Sequence, residues 1–125
     1  MSRLHSTIIR LLLAASAAAQ CSAISAAGKL RSVLRAPGAV VCPGVHDALS
    51  TKVFAEAGAQ ALFLSGFGVS ACRGEPDAGI LTRVEMEDVA RQCVRAAGDV
   101  PLIVDGDTGF GGASNLRRTV RSFAA

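Results

Sequence analysis

Three short stretches of the chain concentrate residue types that hold small anions and cations. Asp105-Gly106-Asp107 sets two carboxylates two residues apart, ahead of a glycine-dense run that ends at Gly112. A strand directs residues i and i+2 to the same face, so these carboxylates are expected side by side at a strand end. Two close carboxylates repel each other. A bound Mg2+, or Mn2+ in its place, is the simplest neutraliser, because hard oxygen ligands suit such ions. Ser65-Gly66-Phe67-Gly68 offers a hydroxyl and backbone N–H groups, which suit a carboxylate or an oxyanion. Asp77, behind Pro76, adds an acid further along the same stretch, and Asp47, behind Pro43-Gly44, supplies one in the third. Each stretch also has a bland reading. The Ser65 stretch can be a plain Gly-rich turn, Asp77 a turn residue after Pro76, and Asp105 and Asp107 caps of the loop that follows. His46 on its own reads as structural.

Those loops need elements to position them. Gly28 to Ala36 reads as a short helix stopped by Pro37-Gly38, with Leu30, Val33 and Leu34 on one side. Ala39–Cys42 reads as a first strand, Ala61–Leu64 as a second and Pro101–Val104 as a third. Between the first two, Asp47 caps a helix whose Leu49, Val53 and Ala57 recur at four-residue spacing, with Gly58 just past its end. Ser65 to Leu81 reads as a long loop. Thr82 and Glu85 then match a capping box ahead of the stripe Met86, Val89, Ala90, Cys93, Val94 and Ala97. Asn115 is the expected cap of a last helix, with Leu116, Val120 and Phe123 inward and Arg117, Arg118 and Arg121 outward. Helices alternating with strands predict an α/β fold with a parallel sheet. In such folds ligands bind beyond the carboxyl ends of the strands, where Pro43–Asp47, Ser65–Asp77 and Asp105–Gly112 all fall.

Composition narrows the classes. The chain has 125 residues, half of them hydrophobic, so a packed domain is expected rather than disorder. Its only aromatics are five Phe, which argues against base stacking on single-stranded nucleic acid. The net charge of +3 is a property of the N-terminal segment, because all ten acids begin at Asp47. No nucleic-acid partner is therefore expected. Residues 1–27 are basic, acid-free and rich in Ser and Ala, like an organellar targeting leader, mitochondrial rather than plastid; a secretory signal is the alternative. The apolar run Leu11–Ala19 is too short to span a bilayer, which takes about 20 residues, and no membrane partner is expected. Cys21, Cys42, Cys72 and Cys93 form no CxxC pair, so they read as buried or incidental thiols rather than a zinc site.

Three motif lookalikes are set aside. Gly66-Phe-Gly68-Val-Ser-Ala71 matches G-x-G-x-x-A, but a dinucleotide turn opens a helix at once, and here a loop with Pro76 is expected. Glu85 and Glu87 also lie in a helical pattern, where the ribose-binding acid should end a strand. Asp105-Gly-Asp107-Thr resembles an aspartyl-phosphate loop, yet it follows two βα units instead of opening the domain. As an EF-hand the same segment fails, because Leu116 stands where a bidentate Glu is required.

Taken together, GVHDALS, LFLSGFGVSA, PDAGILT and VDGDTGFGGASNLRRTV, in this order, resemble the phosphoenolpyruvate mutase/isocitrate lyase superfamily, over Lys29 to Phe123. The most specific part is D-[AG]-D-T-G-[FY]-G followed by N-x-x-R-T-V. The resemblance implies a (β/α)8 barrel whose last helix is exchanged between subunits. It implies Mg2+-dependent chemistry on small α-oxo or α-hydroxy acids, through an enolate. It places Ser65, Gly66 and Phe67 on the substrate carboxylate and enolate oxygen, with Asp47 near the same mouth. It makes Asp105 a direct Mg2+ ligand, with Asp77 and Asp107 reaching the ion largely through water. The loop ACRGEPD is one residue shorter before Pro-Asp than in relatives, so a displaced Asp77 is expected.

A complete barrel takes about 250 residues. Residues 28–125 are therefore expected to be the first three βα units of a (β/α)8 barrel, incomplete as given. The family's K-K/R-C-G-H loop with its acid/base Cys, a fourth metal-site acid and a substrate Arg are expected further downstream. The resulting expectation is a C–C lyase acting on a methylisocitrate-like 2-hydroxy di- or tricarboxylate. The alternatives are a P–C phosphonomutase, an oxaloacetate hydrolase or decarboxylase, or a non-catalytic truncated product. A tetramer is implied for a full-length form. Residues 29–125 alone are expected to aggregate or to fold only with a partner, because strand edges stay unpaired and apolar faces uncovered.

Overall fold

The computed structural model describes residues 25–124. As far as residue 24 the predicted leader lies outside the described residues, as does Cys21. Among the described residues no helix is long and apolar enough to cross a membrane.

The described elements run α1 (Ala26–Arg35), β1 (Gly44–Val45), α2 (Ala48–Glu56), β2 (Leu62–Leu64), α3 (Gly66–Cys72), α4 (Arg83–Ala97), β3 (Leu102–Val104) and α5 (Ala113–Phe123). The three strands form one parallel sheet in the order β1-β2-β3. Gly44 pairs with Phe63, Val45 with Leu64, and Leu64 with Val104. Strand neighbours in space are thus strand neighbours in sequence, with a helix in each crossover.

The side chains sort by face. Val45, Leu62 and Leu64 are fully buried and form one core with Val69 of α3 and Met86, Val89, Ala90, Cys93 and Ala97 of α4. Leu102, Val104 and Phe123 pack against its edge. The alternate positions lie on the opposite face, where Ile103 stays 36% exposed. The core helices therefore stack on one side of the sheet. A doubly wound sheet is covered on both sides, whereas a (β/α)8 barrel carries its helices on one surface only. The fold is α/β and corresponds to three consecutive βα units of such a barrel.

Several local expectations hold. Asp47 caps α2 and Thr82 caps α4, each in a reciprocal capping box, with Ser50 and Glu85 respectively. Hydrogen bonds from Thr82 hold the Glu85 carboxyl below the usual range. Gly58 follows α2 at φ 89° and Gly98 ends α4 at φ 58°, left-handed conformations open to Gly at little cost.

Other expectations are corrected. The predicted first strand, Ala39–Cys42, is not a strand; pairing begins at Gly44, and Val41 is 78% exposed. The register explains this. Extended back, the same register would set residues 39–42 opposite Gly58–Ala61, where the turn closing α2 binds Ala59 N–H to Phe54 O. Ser65 to Leu81 is not all loop, because Ser65 caps α3 and Gly66 begins it. One ground for setting aside the dinucleotide lookalike is thereby lost. The other stands, since Glu85 and Glu87 lie in α4. The buried position of α2 is Thr51, while Leu49 and Val53 face outward. α5 starts at Ala113 behind Gly112, so Asn115 is not its cap. Its buried residue is Thr119, and Leu116 and Val120 are about half exposed.

Candidate functional site

The carboxyl ends of the strands gather the predicted acids unevenly. β3 ends at Val104 and Asp105 follows at once. One Asp105 oxygen, Oδ2, accepts the N–H of Gly66, the first residue of α3, at 3.1 Å. The other, Oδ1, accepts the N–H of Asp107 at 2.9 Å. Asp105 therefore joins the end of β2 to the end of β3 and also shapes its own loop. Ionised acceptors make the stronger hydrogen bonds, and a carboxylate offers about four lone-pair sites. Two of those remain for a ligand.

This close approach explains the glycine after Ser65. A Cβ on Gly66 would stand 3.1 Å from Asp105 Oδ2, so a side chain there would press on the carboxylate. Gly68 faces a harder limit. A Cβ there would meet His46 Cβ at 2.8 Å. His46 donates its backbone N–H to Ser50 Oγ at 3.1 Å and packs its side chain over α3.

Asp105, Asp107 and Asp77 line one cavity of about 100 Å3, with Gly66, Ser70, Gly79, Leu81, Met86 and Phe110. Among the described residues, no Lys or Arg lines it. Buried Met86 carries the core up to its floor. A wider groove of about 690 Å3 shares Gly79, Leu81, Asp107 and Phe110 and extends along Thr82, Arg83 and Thr108. That volume suits a small-molecule site. Asp105 and Asp107 do not share a strand face as the spacing predicted. β3 has already ended, and Asp107 stands in a left-handed conformation at φ 46°. The loop, not the strand pleat, brings Asp107 to the cavity.

The remaining predicted residues, Ser65, Phe67 and Asp47, do not line this cavity. Ser65 Oγ accepts Gly68 N–H at 3.3 Å as the cap of α3, which leaves its own proton free to donate. Phe67 is the second residue of α3, where an N–H has no intrahelical carbonyl to meet, and its side chain is 61% exposed. Asp47 is exposed and occupied by its cap, accepting Ser50 N–H at 2.7 Å. That hydrogen bond, with a second from the Ser50 hydroxyl, holds the Asp47 carboxyl below its usual range. Its contribution to stability is thus complete above the unfolded carboxylate value of about 3.9 and is lost as pH falls through the lower folded value. Asp47→Ala is expected to cost about 1 kcal/mol, with a difference from the parent chain that shrinks in acid. Urea denaturation at neutral pH and at acid pH checks both statements.

Residues that the sequence reading did not single out also line the cavity, Ser70, Gly79 and Phe110 among them. Phe110 had a signal: it sits in the glycine-dense run after Asp107, and it adopts φ 58°. Non-glycine residues in that region persist where their surroundings hold them. Cys93 is buried, and burial raises its thiol. Cys42 and Cys72 are exposed.

The family model described as phosphoenolpyruvate phosphomutase matches residues 30–125. The chain belongs to the phosphoenolpyruvate mutase/isocitrate lyase superfamily. It is 46% identical over 101 residues to 2,3-dimethylmalate lyase of Eubacterium barkeri, covering 80% of this chain and 35% of that protein. It is 46% identical over 102 residues to 2-methylisocitrate lyase of Bacillus subtilis, covering 82% and 34%. Among solved structures, oxaloacetate acetylhydrolase with bound oxalate superposes with a TM-score of 0.74 at 39% identity, over 80% of this chain and 36% of that one. The chain thus spans about a third of the length of the superfamily relatives it matches.

The donor set is compatible with the superfamily's divalent cation in one particular way. Among the described residues, no three His, Cys, Asp or Glu side chains converge closely enough to cage an ion by themselves. Three carboxylates nevertheless line one small cavity with no basic side chain among the described residues to offset them. Mg2+ gives up its water reluctantly and commonly binds through one or two carboxylates. A partly hydrated ion fits these residues, whereas an all-protein cage does not.

Proposed function

We propose that this chain supplies the metal- and carboxylate-binding side of a Mg2+-dependent lyase. The reaction is cleavage of a C–C bond in a small 2-hydroxy di- or tricarboxylate, methylisocitrate-like, through an enolate. The observation that carries this reading is the meeting of Asp77, Asp105 and Asp107 on one cavity that no basic side chain lines among the described residues, toward the carboxyl ends of parallel strands. Two relatives at 46% identity that are named as lyases support it.

In this reading Asp105 takes the ion directly, while Asp77 and Asp107 hold its water shell. When bound, the ion supplies positive charge to stabilise the enolate that develops on cleavage. The chain's own groups do the rest. Gly66 N–H fixes the Asp105 carboxylate, so the donor is aimed before any ligand arrives. The Ser65 hydroxyl and the Phe67 N–H hold a substrate carboxylate or enolate oxygen. A general base takes the hydroxyl proton, the hydroxyl-bearing carbon becomes an oxo carbon as the C–C bond breaks, and the electrons of that bond leave as the enolate pair, which a general acid then protonates. Asp47, which follows the neighbouring strand β1, is read as lying near the same mouth. Mn2+ can stand in for Mg2+, the active form is a homotetramer, and the basic leader directs the protein to an organelle, mitochondrial rather than plastid.

Metal removal tests the reading. Purified active protein treated with EDTA is expected to lose 2-oxo acid release from 2,3-dimethylmalate or 2-methylisocitrate by on the order of 10^3, and added Mg2+ or Mn2+ restores it. Undiminished turnover after chelation would sink the assignment. The likeness to oxaloacetate acetylhydrolase favours a second reading, hydrolysis of oxaloacetate at the same site. Metal-dependent activity on oxaloacetate, with none on the 2-hydroxy acids, selects it.

A further inference from the structure

We infer that Thr119, a residue of α5 outside the cavity, is the positioning residue for the aspartate loop, an inference that rests on the metal-site reading above. Thr119 is 2% exposed, the one polar residue buried along α5. Its hydroxyl donates to the carbonyl of Gly109 at 2.9 Å, and the Asn115 carbonyl one turn back lies 3.1 Å away. Ordinary packing of α5 needs no hydroxyl here. The second acceptor is the one a helical Thr commonly takes; the first reaches ten residues back into the loop.

That contact is the last link of a continuous chain. Gly109 N–H donates to Gly106 O at 2.8 Å and closes the turn that contains Asp107. Asp107 N–H donates to Asp105 Oδ1 at 2.9 Å. Thr119 thus holds one end of Gly109, and the other end holds the turn that presents both carboxylates. The turn needs holding, because Asp107 and Phe110 are the two non-glycine residues at positive φ among those described. The inner face of α5 is shaped to it. A Cβ on Gly109, at φ 87°, would meet Leu116 Cδ1 at 2.6 Å, and the Phe110 ring meets Phe123 edge-on at 6.4 Å. A buried carbonyl deprived of its donor is costly, so without the hydroxyl the turn relaxes toward solvent.

The test compares Thr119→Val, similar in shape but without the hydroxyl, with Thr119→Ser, which keeps it, in the full chain. The first readout is amide hydrogen exchange. For the Val variant, exchange at Asp107 and Gly109 is expected to quicken about tenfold, with the α4 amides unchanged and the Ser variant close to the parent. The second readout is affinity for Mn2+ alone, followed by the spin resonance of the free ion. It is expected to fall about tenfold for Val and to hold for Ser. If the Val variant does not fold, Thr119→Cys, of similar size and a weak donor, carries the same comparison. The inference is overturned if the loop amides of the Val variant match the parent. It is also overturned if exchange rises uniformly through α4 and α5 and Ser fails to restore it, which marks a packing role. A parent chain that binds no Mn2+ contradicts the metal reading instead, and the exchange data still decide the role of Thr119.

Discussion

Asp105→Asn is expected to abolish metal-dependent turnover, by on the order of 10^3 or more, in a protein that still folds. The substitution keeps the shape of the side chain and one carbonyl oxygen, so one of its two hydrogen bonds, to Gly66 N–H or to Asp107 N–H, survives. It removes the charge and one of the two acceptor atoms. If Asp105 only tied β2 to β3, the loss would appear in stability and leave activity per folded molecule near that of the parent. If it holds the cation, thermal stability changes modestly while Mn2+ affinity and turnover collapse together. Asp77→Asn and Asp107→Asn, at positions read as reaching the ion through water, are expected to cost roughly 10-fold to 100-fold each. Turnover and Mn2+ titration on the three variants rank the ligands. Equal losses at all three positions would contradict the assigned division between direct and water-mediated contact.

Gly68→Ala is the second large effect, and it acts through packing. The added carbon would sit 2.8 Å from His46 Cβ. Neither atom can escape by a rotamer change, because each is bonded to its own backbone. Either α3 slides or the end of β1 gives way, and overpacking of this kind costs about 1–3 kcal/mol. In a domain of this size each kcal/mol lowers Tm by roughly 4–8 °C. α3 begins with the residues proposed to hold the substrate, so KM for the acid substrate is expected to rise as well. Gly106→Ala is the control. Nothing lies within 4 Å of a Cβ there and φ is ordinary, so its Tm is expected to match the parent. Differential scanning calorimetry of the two variants checks the contrast, and equal melting would remove the His46 contact as the reason for glycine at 68.

How much of this was legible beforehand differs with the kind of signal. Helix ends were clear where a cap is local chemistry. Asp47 with Ser50 and Thr82 with Glu85 close their rings within three residues, so no distant partner is needed. The stripe of α4 was legible for the same reason, since one helix face repeats within one segment. Of its six residues, only Val94 lies outside the core. The superfamily, the three acids and the glycine loops could likewise be read in order along the chain.

What failed depended on partners far away in sequence. Ala39–Cys42 has the apolar character of a strand, but a strand exists only where a neighbour offers its ladder, and β2 starts too late to do so. On α2 the four-residue spacing of Leu49, Val53 and Ala57 suggested the buried face. The face was instead decided by α4, which packs on Thr51 and Ala55. Asn115 looked like a cap, yet its amide fills the space beside Gly111, and Gly112 opens the helix.

The site divides in the same way. Residue types and their order along the chain by themselves singled out Asp77, Asp105 and Asp107 as candidate oxygen donors in the segments that follow β2 and β3, because acids among glycines can be read without coordinates. Only the tertiary structure decided that the three acids share one cavity, that Gly66 N–H steadies Asp105, and that Asp47 is spent as a cap. It alone placed Thr119 behind the loop. The physical reason is the geometry of these contacts. A parallel sheet sets residues about forty positions apart side by side, and a left-handed turn at Asp107 overrides the alternation that a strand would impose. Neither is encoded in the spacing of the residues concerned.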